Sequence, residues 1–175
     1  TIPPYQASYL LSFTSLARET TTDVLAPLPE GDLPRGSETG VIIHRIFERI
    51  FTEEKSPAKI TEEELLFGPL YAWKERVLSM VQATLDLPLP MGFCLREVSR
   101  ELLRVETEFL FESAPNYLKG FIDLLFMHQG KLYFVDWKTN WLSDYTPERL
   151  QQAVLAHQYD LQASIYTEAL ARSWE

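Results

Sequence analysis

The sequence predicts an α/β fold, a mixed central sheet flanked by helices, and three observations carry that reading. Apolar residues recur at helical spacing in the first half, at Ile43, Ile46, Phe47 and Ile50. Val105 to Phe111 alternates like a strand, and Gly120–Met127 and Lys131–Lys138 read as two further strands. A long helical stretch with Pro147 in its first turn then closes the chain. Helices, an antiparallel pair of strands and a helix packed back onto them make an α/β sandwich around a mixed sheet.

Taken in order, Thr14 to Arg18 reads as the start of a short helix. Residues 19–37 hold Pro27, Pro29, Pro34, Gly31, Gly36 and the Thr20–Thr22 run, so this stretch reads as a mobile loop. A helix follows from Thr39 to Phe51. Thr61-Glu62-Glu63-Glu64 has the pattern of a capping box and predicts a second helix reaching Leu85. Pro88 and Pro90 mark a turn over residues 87–91. Strands are expected over 105–111, 120–127 and 131–138, with Gln129-Gly130 as a tight hairpin between the last two. A single helix is expected over 147–172.

The 175 residues suit one domain, residues 1–175, and 46% hydrophobic residues suffice for a core. The first residue is Thr rather than Met, which reads as a piece of a larger subunit. One cysteine, Cys94, rules out a disulfide framework and a four-cysteine metal or cluster site, and it suits a reducing, cytoplasmic setting. No apolar run approaches the roughly 18–20 residues of a membrane span, and no signal peptide opens the chain. A net charge of −9 argues against a simple nucleic-acid coating protein. It leaves room for an acidic site that needs a cation, with basic surfaces supplied by a larger assembly.

The hairpin concentrates charge. With Gln129-Gly130 as the two loop residues, His128 faces Lys131 and, counting outward, Asp123 faces Asp136 and Phe121 faces Lys138. Asp123, Asp136 and Lys138 then share one face with the apolar Leu125, Met127, Leu132 and Phe134. Opposed like charges destabilise a strand pair by about 0.2–1 kcal/mol, and partial burial raises a carboxylate pKa. A divalent cation relieves the repulsion, and hard carboxylate oxygens suit Mg²⁺, with Mn²⁺ as substitute. A solvated strand end with Lys138 neutralising one aspartate fits the pairing equally well, and an odd-length loop would shift the register. Asp-x-Lys suits phosphodiester hydrolysis: the carboxylate holds metal, and the ammonium orients water or stabilises phosphorane charge.

Several ordered segments resemble one family: Gly120-Phe121-Ile122-Asp123-Leu124-Leu125-Phe126, Val135-Asp136-Trp137-Lys138, the stretch His157 to Leu170, Glu38 to Glu48 with its Gly-x-x-x-His at Gly40 and His44, and Ser12 to Leu16. They are similar to the nuclease domain of RecB-type helicase–nuclease subunits, within the PD-(D/E)XK superfamily. The resemblance spans nearly the whole chain. It implies a restriction-endonuclease-like core and Mg²⁺-dependent DNA cleavage of the exodeoxyribonuclease V type, in double-strand break repair and recombination. It implies metal ligands at His44, Asp123, Asp136 and the backbone carbonyl of Trp137, with Lys138 as catalytic lysine. Gln162 and Tyr166 match a Gln-x-x-x-Tyr motif; at i and i+4 they share a helix face and would reach phosphate, DNA or water. Glu106 matches an acidic residue near the first core strand. The implied partners are DNA single strands from unwound duplex and RecC- and RecD-like subunits, with no membrane.

Plainer readings stand beside these. A lone histidine such as His44 is by composition more often a packing residue. Glu48, one turn on, suits a second-sphere partner or an exposed helix glutamate. Glu106 and Glu108 share strand parity and either fits a solvated position. Tyr166 fits plain packing; Trp137, Trp141 and Tyr145 fit base stacking or packing. The runs Glu53-Glu54-Lys55 and Glu62-Glu63-Glu64 read as solvated helix faces. No Gly-x-x-x-x-Gly-Lys phosphate loop is present, so a motor would have to lie upstream. The alternatives are a cluster-free nuclease of another recombination or defence system, or a catalytically silent module that binds DNA or subunits.

Overall fold

A computed structural model describes residues 10–12 and 32–173. The elements are β1 (Leu10–Leu11), α1 (Ser37–Thr52), α2 (Pro57–Leu65), α3 (Lys74–Asp86), β2 (Leu103–Ser113), β3 (Asn116–His128), β4 (Lys131–Val135), α4 (Pro147–Ala156) and α5 (Tyr159–Arg172), with three short 3₁₀ turns between Tyr71 and Leu102. β3 pairs with β1, β2 and β4, in parallel with β1 and antiparallel with β4, so the sheet is mixed. The short helix expected from Thr14, and residues 19–31 of the expected loop, lie outside the described residues. Among the described residues no helix is long and apolar enough to cross a membrane.

The chain divides into two compact units. The described part of the first is 32–107 with 123–141. Its core joins Ile42, Ile43, Ile46, Phe47, Ile50 and Phe51 of α1 to Ile60 and Leu65 of α2, Val77, Val81 and Leu85 of α3, and Leu124 and Phe126 of β3. Each such side chain contributes roughly 1.5–3 kcal/mol by leaving water, which fixes which side of α1 turns inward. Thr39, in the first turn of α1, donates to the Pro34 carbonyl at 2.7 Å.

The second helix departs from the expectation. Ser56 caps α2 by accepting from the Lys59 amide, and Pro57 opens the helix. Thr61 is instead buried inside α2. The helical run stops before Gly68-Pro69, because proline cannot donate to the helix ladder and disfavours helical geometry in the residue before it; α3 restarts at Lys74. The acidic runs are engaged too. Arg49 bonds Glu53, Glu63 and Glu64, and Lys55 bonds Glu63, fastening α1 to α2.

In the hairpin, Gln129 and Gly130 both take positive φ, 49° and 73°, the geometry of a two-residue turn matched to strand twist. His128 pairs with Lys131 and Leu124 with Val135, the register read from the sequence. β4 ends at Val135, three residues short of the expectation. The Trp137 amide leaves the ladder and donates to a side chain, as described below.

The described part of the second unit is 10–12, 108–122 and 142–173. Leu118, Ile122, Ile165, Tyr166 and Ala169 are buried in it. The single closing helix is two. α4 ends at Ala156, Gln158 takes a left-handed φ of 53°, and α5 begins at Tyr159. No glycine or proline marks this break.

Candidate active site at the end of the hairpin

Asp123 and Asp136 lie at the end of the paired part of the hairpin, on the strand parity opposite to Leu124, Phe126, Tyr133 and Val135, which face the first unit's core. Asp123 is nearly buried, and its Oδ2 accepts the Trp137 amide at 2.6 Å. The same oxygen stands 3.5 Å from His44 Nδ1, while His44 Nε2 lies 2.8 Å from the Trp137 carbonyl. Asp123, His44 and the Trp137 backbone thus close a small ring of polar contacts. Lys138, about a third exposed, forms an ion pair with Asp136.

The electrostatics follow from this. Both His44 nitrogens face acceptors, which suits the doubly protonated imidazolium. Its pKa is raised above the ordinary histidine value, chiefly by the hydrogen bond to Asp123, against the opposing effect of burial. Glu106 is raised as well, first by burial and then by Asp123 and Glu48. Its backbone sits at φ 46° within β2, a left-handed conformation that is sparsely populated outside glycine and is held by its surroundings at about 1–3 kcal/mol. Gly40, Val41, His44, Arg45, Glu48 and Glu106 line an open cavity of about 470 Å³.

Among the described residues, no three His, Cys, Asp or Glu side chains stand together as a metal cage. The donors nevertheless fit a hard divalent cation in kind: two carboxylates, a carbonyl and an imidazole, with Asp123 and the Trp137 carbonyl each within 3.5 Å of a different ring nitrogen of His44. Imidazolium and a divalent cation are alternative ways of satisfying the same oxygens.

A model of the PD-(D/E)XK nuclease superfamily matches residues 5–175. The chain belongs to this superfamily. It is also similar to the RecBCD enzyme subunit RecB of Escherichia coli strain K12, 32% identical over 79% of this chain and 15% of that protein. The Chlamydia pneumoniae subunit of the same name is 32% identical over 83% of this chain and 15% of that protein. For the Haemophilus influenzae subunit the figures are 31%, 91% and 16%. The chain therefore spans about one-sixth or less of the length of these relatives.

Within this PD-(D/E)XK chain, Gln162 and Tyr166 belong to the second unit. They are 8% and 4% exposed and bond to each other. The first unit also holds contacts that bear on Trp137, Gly40 and Trp141. The Trp137 ring stacks on Phe47, centroids 4.2 Å apart, so it packs against the core. A Cβ on Gly40 would lie 3.1 Å from Thr139 Oγ1, which brings the first turns of α1 close to the residue after Lys138. The position of Gly40, one helical turn before His44, is the only sequence signal of that approach. Asp32 accepts from the Trp141 indole at 2.9 Å and pairs with Arg76, while Arg35 lies over the Trp141 ring at 4.0 Å. These contacts hold the segment following Lys138, and no local pattern announces them.

Proposed function

We propose that this chain is a divalent-metal-dependent DNA nuclease domain, with Mg²⁺ as the working ion and Mn²⁺ able to replace it. The observation that carries the reading is the junction of Asp123, His44 and the Trp137 carbonyl beside the Asp136–Lys138 pair. Asp123, Asp136, His44 and the Trp137 carbonyl would hold the ion. When bound, it supplies charge to polarise a scissile phosphate and acidify water.

The chain's own groups do the rest. The Asp136 carboxylate aims Lys138 through their ion pair, and the ammonium orients the attacking water and offsets charge developing on the phosphate. Asp123 holds the Trp137 amide and so fixes the carbonyl that points to His44. Glu106, desolvated and raised, serves as a proton acceptor at the rim of the cavity. In-line hydrolysis leaves a 5′-phosphate and a 3′-hydroxyl.

The similarity to RecB subunits supports an exodeoxyribonuclease V type role in cytoplasmic break repair and recombination. Single strands would come from a helicase motor, with RecC- and RecD-like subunits as partners. Cleavage of single-stranded DNA at low salt, compared across Mg²⁺, Mn²⁺ and EDTA for the wild type and Asp136→Ala, tests the reading. Metal-dependent cleavage lost in the variant is expected; equal cleavage by both would overturn it. The rival reading is a silent DNA- or subunit-binding module. DNA binding with no cleavage under any metal would support that instead.

A further inference from the structure

Gln162 and Tyr166 were expected to touch DNA, phosphate or water, and their surroundings argue otherwise. Tyr166 Oη donates to the backbone carbonyl of Phe121 at 2.9 Å, and Gln162 Nε2 donates to that same hydroxyl at 2.7 Å. Both side chains are more than nine-tenths buried, and the Tyr166 ring meets Phe109 edge-on, centroids 5.6 Å apart. The accepting carbonyl lies in β3 at a particular place. β1 pairs with β3 at Tyr117 and Leu118, and β4 begins pairing only at Leu124. Residues 119–123 fall between these two ladders, and Phe121 is two residues before Asp123.

We propose that Gln162 and Tyr166 are positioning residues, a buried hydrogen-bond relay that anchors β3 at Phe121 and thereby sets where the Asp123 carboxylate stands. Among the described residues neither β1 nor β4 pairs with β3 at this point; Tyr166 gives the strand a donor there, and Gln162 fixes the rotation of the tyrosine hydroxyl so that its proton aims at the carbonyl. A carbonyl that loses its donor is left with an unmet acceptor, so the strand shifts to recover a partner. A shift near Phe121 runs along the same backbone to Asp123 and, through its Oδ2, to the Trp137 amide. The role rests on the nuclease reading above, but the relay itself does not.

The test compares wild type with Tyr166→Phe, which keeps the ring against Phe109 and removes only the hydroxyl. In metal-free protein, the Trp137 amide resonance should move and its hydrogen exchange should quicken. In cleavage assays kcat should fall by about ten- to a hundredfold, the scale of an ångström misplacement, with KM for single-stranded DNA unchanged. A raised KM with unchanged kcat and an unmoved Trp137 amide would show a direct DNA contact and overturn the proposal, as would no change in any measure. If the wild type does not cleave DNA, the nuclease reading fails and the Trp137 amide still decides the relay. Gln162→Met, which leaves the Tyr166–Phe121 bond in place, should give the same signature more weakly, and it carries the comparison should Tyr166→Phe fail to fold.

Discussion

The imidazole of His44 and the backbone carbonyl of Trp137, 93 residues apart in sequence, meet at 2.8 Å, with the Asp123 carboxylate on the other ring nitrogen. A helix side chain, a strand carboxylate and a post-strand carbonyl are thereby tied into one polar unit.

The first prediction concerns the protonation of that unit. His44 is raised above its ordinary value of 6.5, mainly by the hydrogen bond to Asp123. A group raised on folding stabilises the fold fully below its unfolded pKa and loses that contribution as pH rises through the folded value. Metal-free protein should therefore lose stability above the ordinary histidine range. Asp123→Asn should lower the His44 titration midpoint, read from its imidazole NMR signals. An unchanged midpoint would mean that the pair does not govern the shift.

The second separates the ring of Trp137 from its backbone. The ring stacks on Phe47, while the carbonyl and amide meet His44 and Asp123. Trp137→Ala should cost about 3 kcal/mol, the lower end for truncating a large aromatic, since the ring is only partly buried. Trp137→Phe should restore most of the stability and keep cleavage near wild type. Urea denaturation beside the cleavage assay reads both quantities. Preserved stability in the alanine variant would place the ring outside the packed core.

The third concerns Gly120. A Cβ there would fall 2.5 Å from the Phe109 ring, closer than real contacts allow. Gly120→Ala should destabilise by about 1–3 kcal/mol, the scale of an overpacked site, and Phe109→Leu in the same chain should recover part of that loss. Thermal melting checks the pair. An alanine variant as stable as wild type would show that Phe109 moves aside freely.

What the sequence made legible was local. Gln129-Gly130 between alternating runs announced a two-residue turn, and the turn set the register that carries Asp123 and Asp136. The apolar spacing of Ile43, Ile46, Phe47 and Ile50 announced α1, whose ends extend two residues earlier and one later than read. What escaped was decided by distant parts of the chain. Glu63 and Glu64 look like a solvated run until Arg49, 14 and 15 residues earlier, folds over them. Thr61 mimics a cap because its neighbours are acidic, though Ser56-Pro57 is the stronger start signal. The left-handed Gln158 has no glycine to announce it. The burial of Gln162 and Tyr166 hides in a motif whose spacing shows a shared helix face and not what that face meets.

The brevity of the Gln129-Gly130 turn also bears on the order in which the molecule is built. Hairpins close in about 1–10 μs, whereas bringing His44 to Trp137 must first overcome the larger closure entropy of a long intervening chain. The strand ends that carry Asp123 and Asp136 are therefore brought together early, while the helix that bears His44 is still searching. During that interval Lys138, two residues from Asp136, is the nearest counter-charge in sequence. Charge reversal at Lys138 should on this view slow folding as well as alter the finished protein.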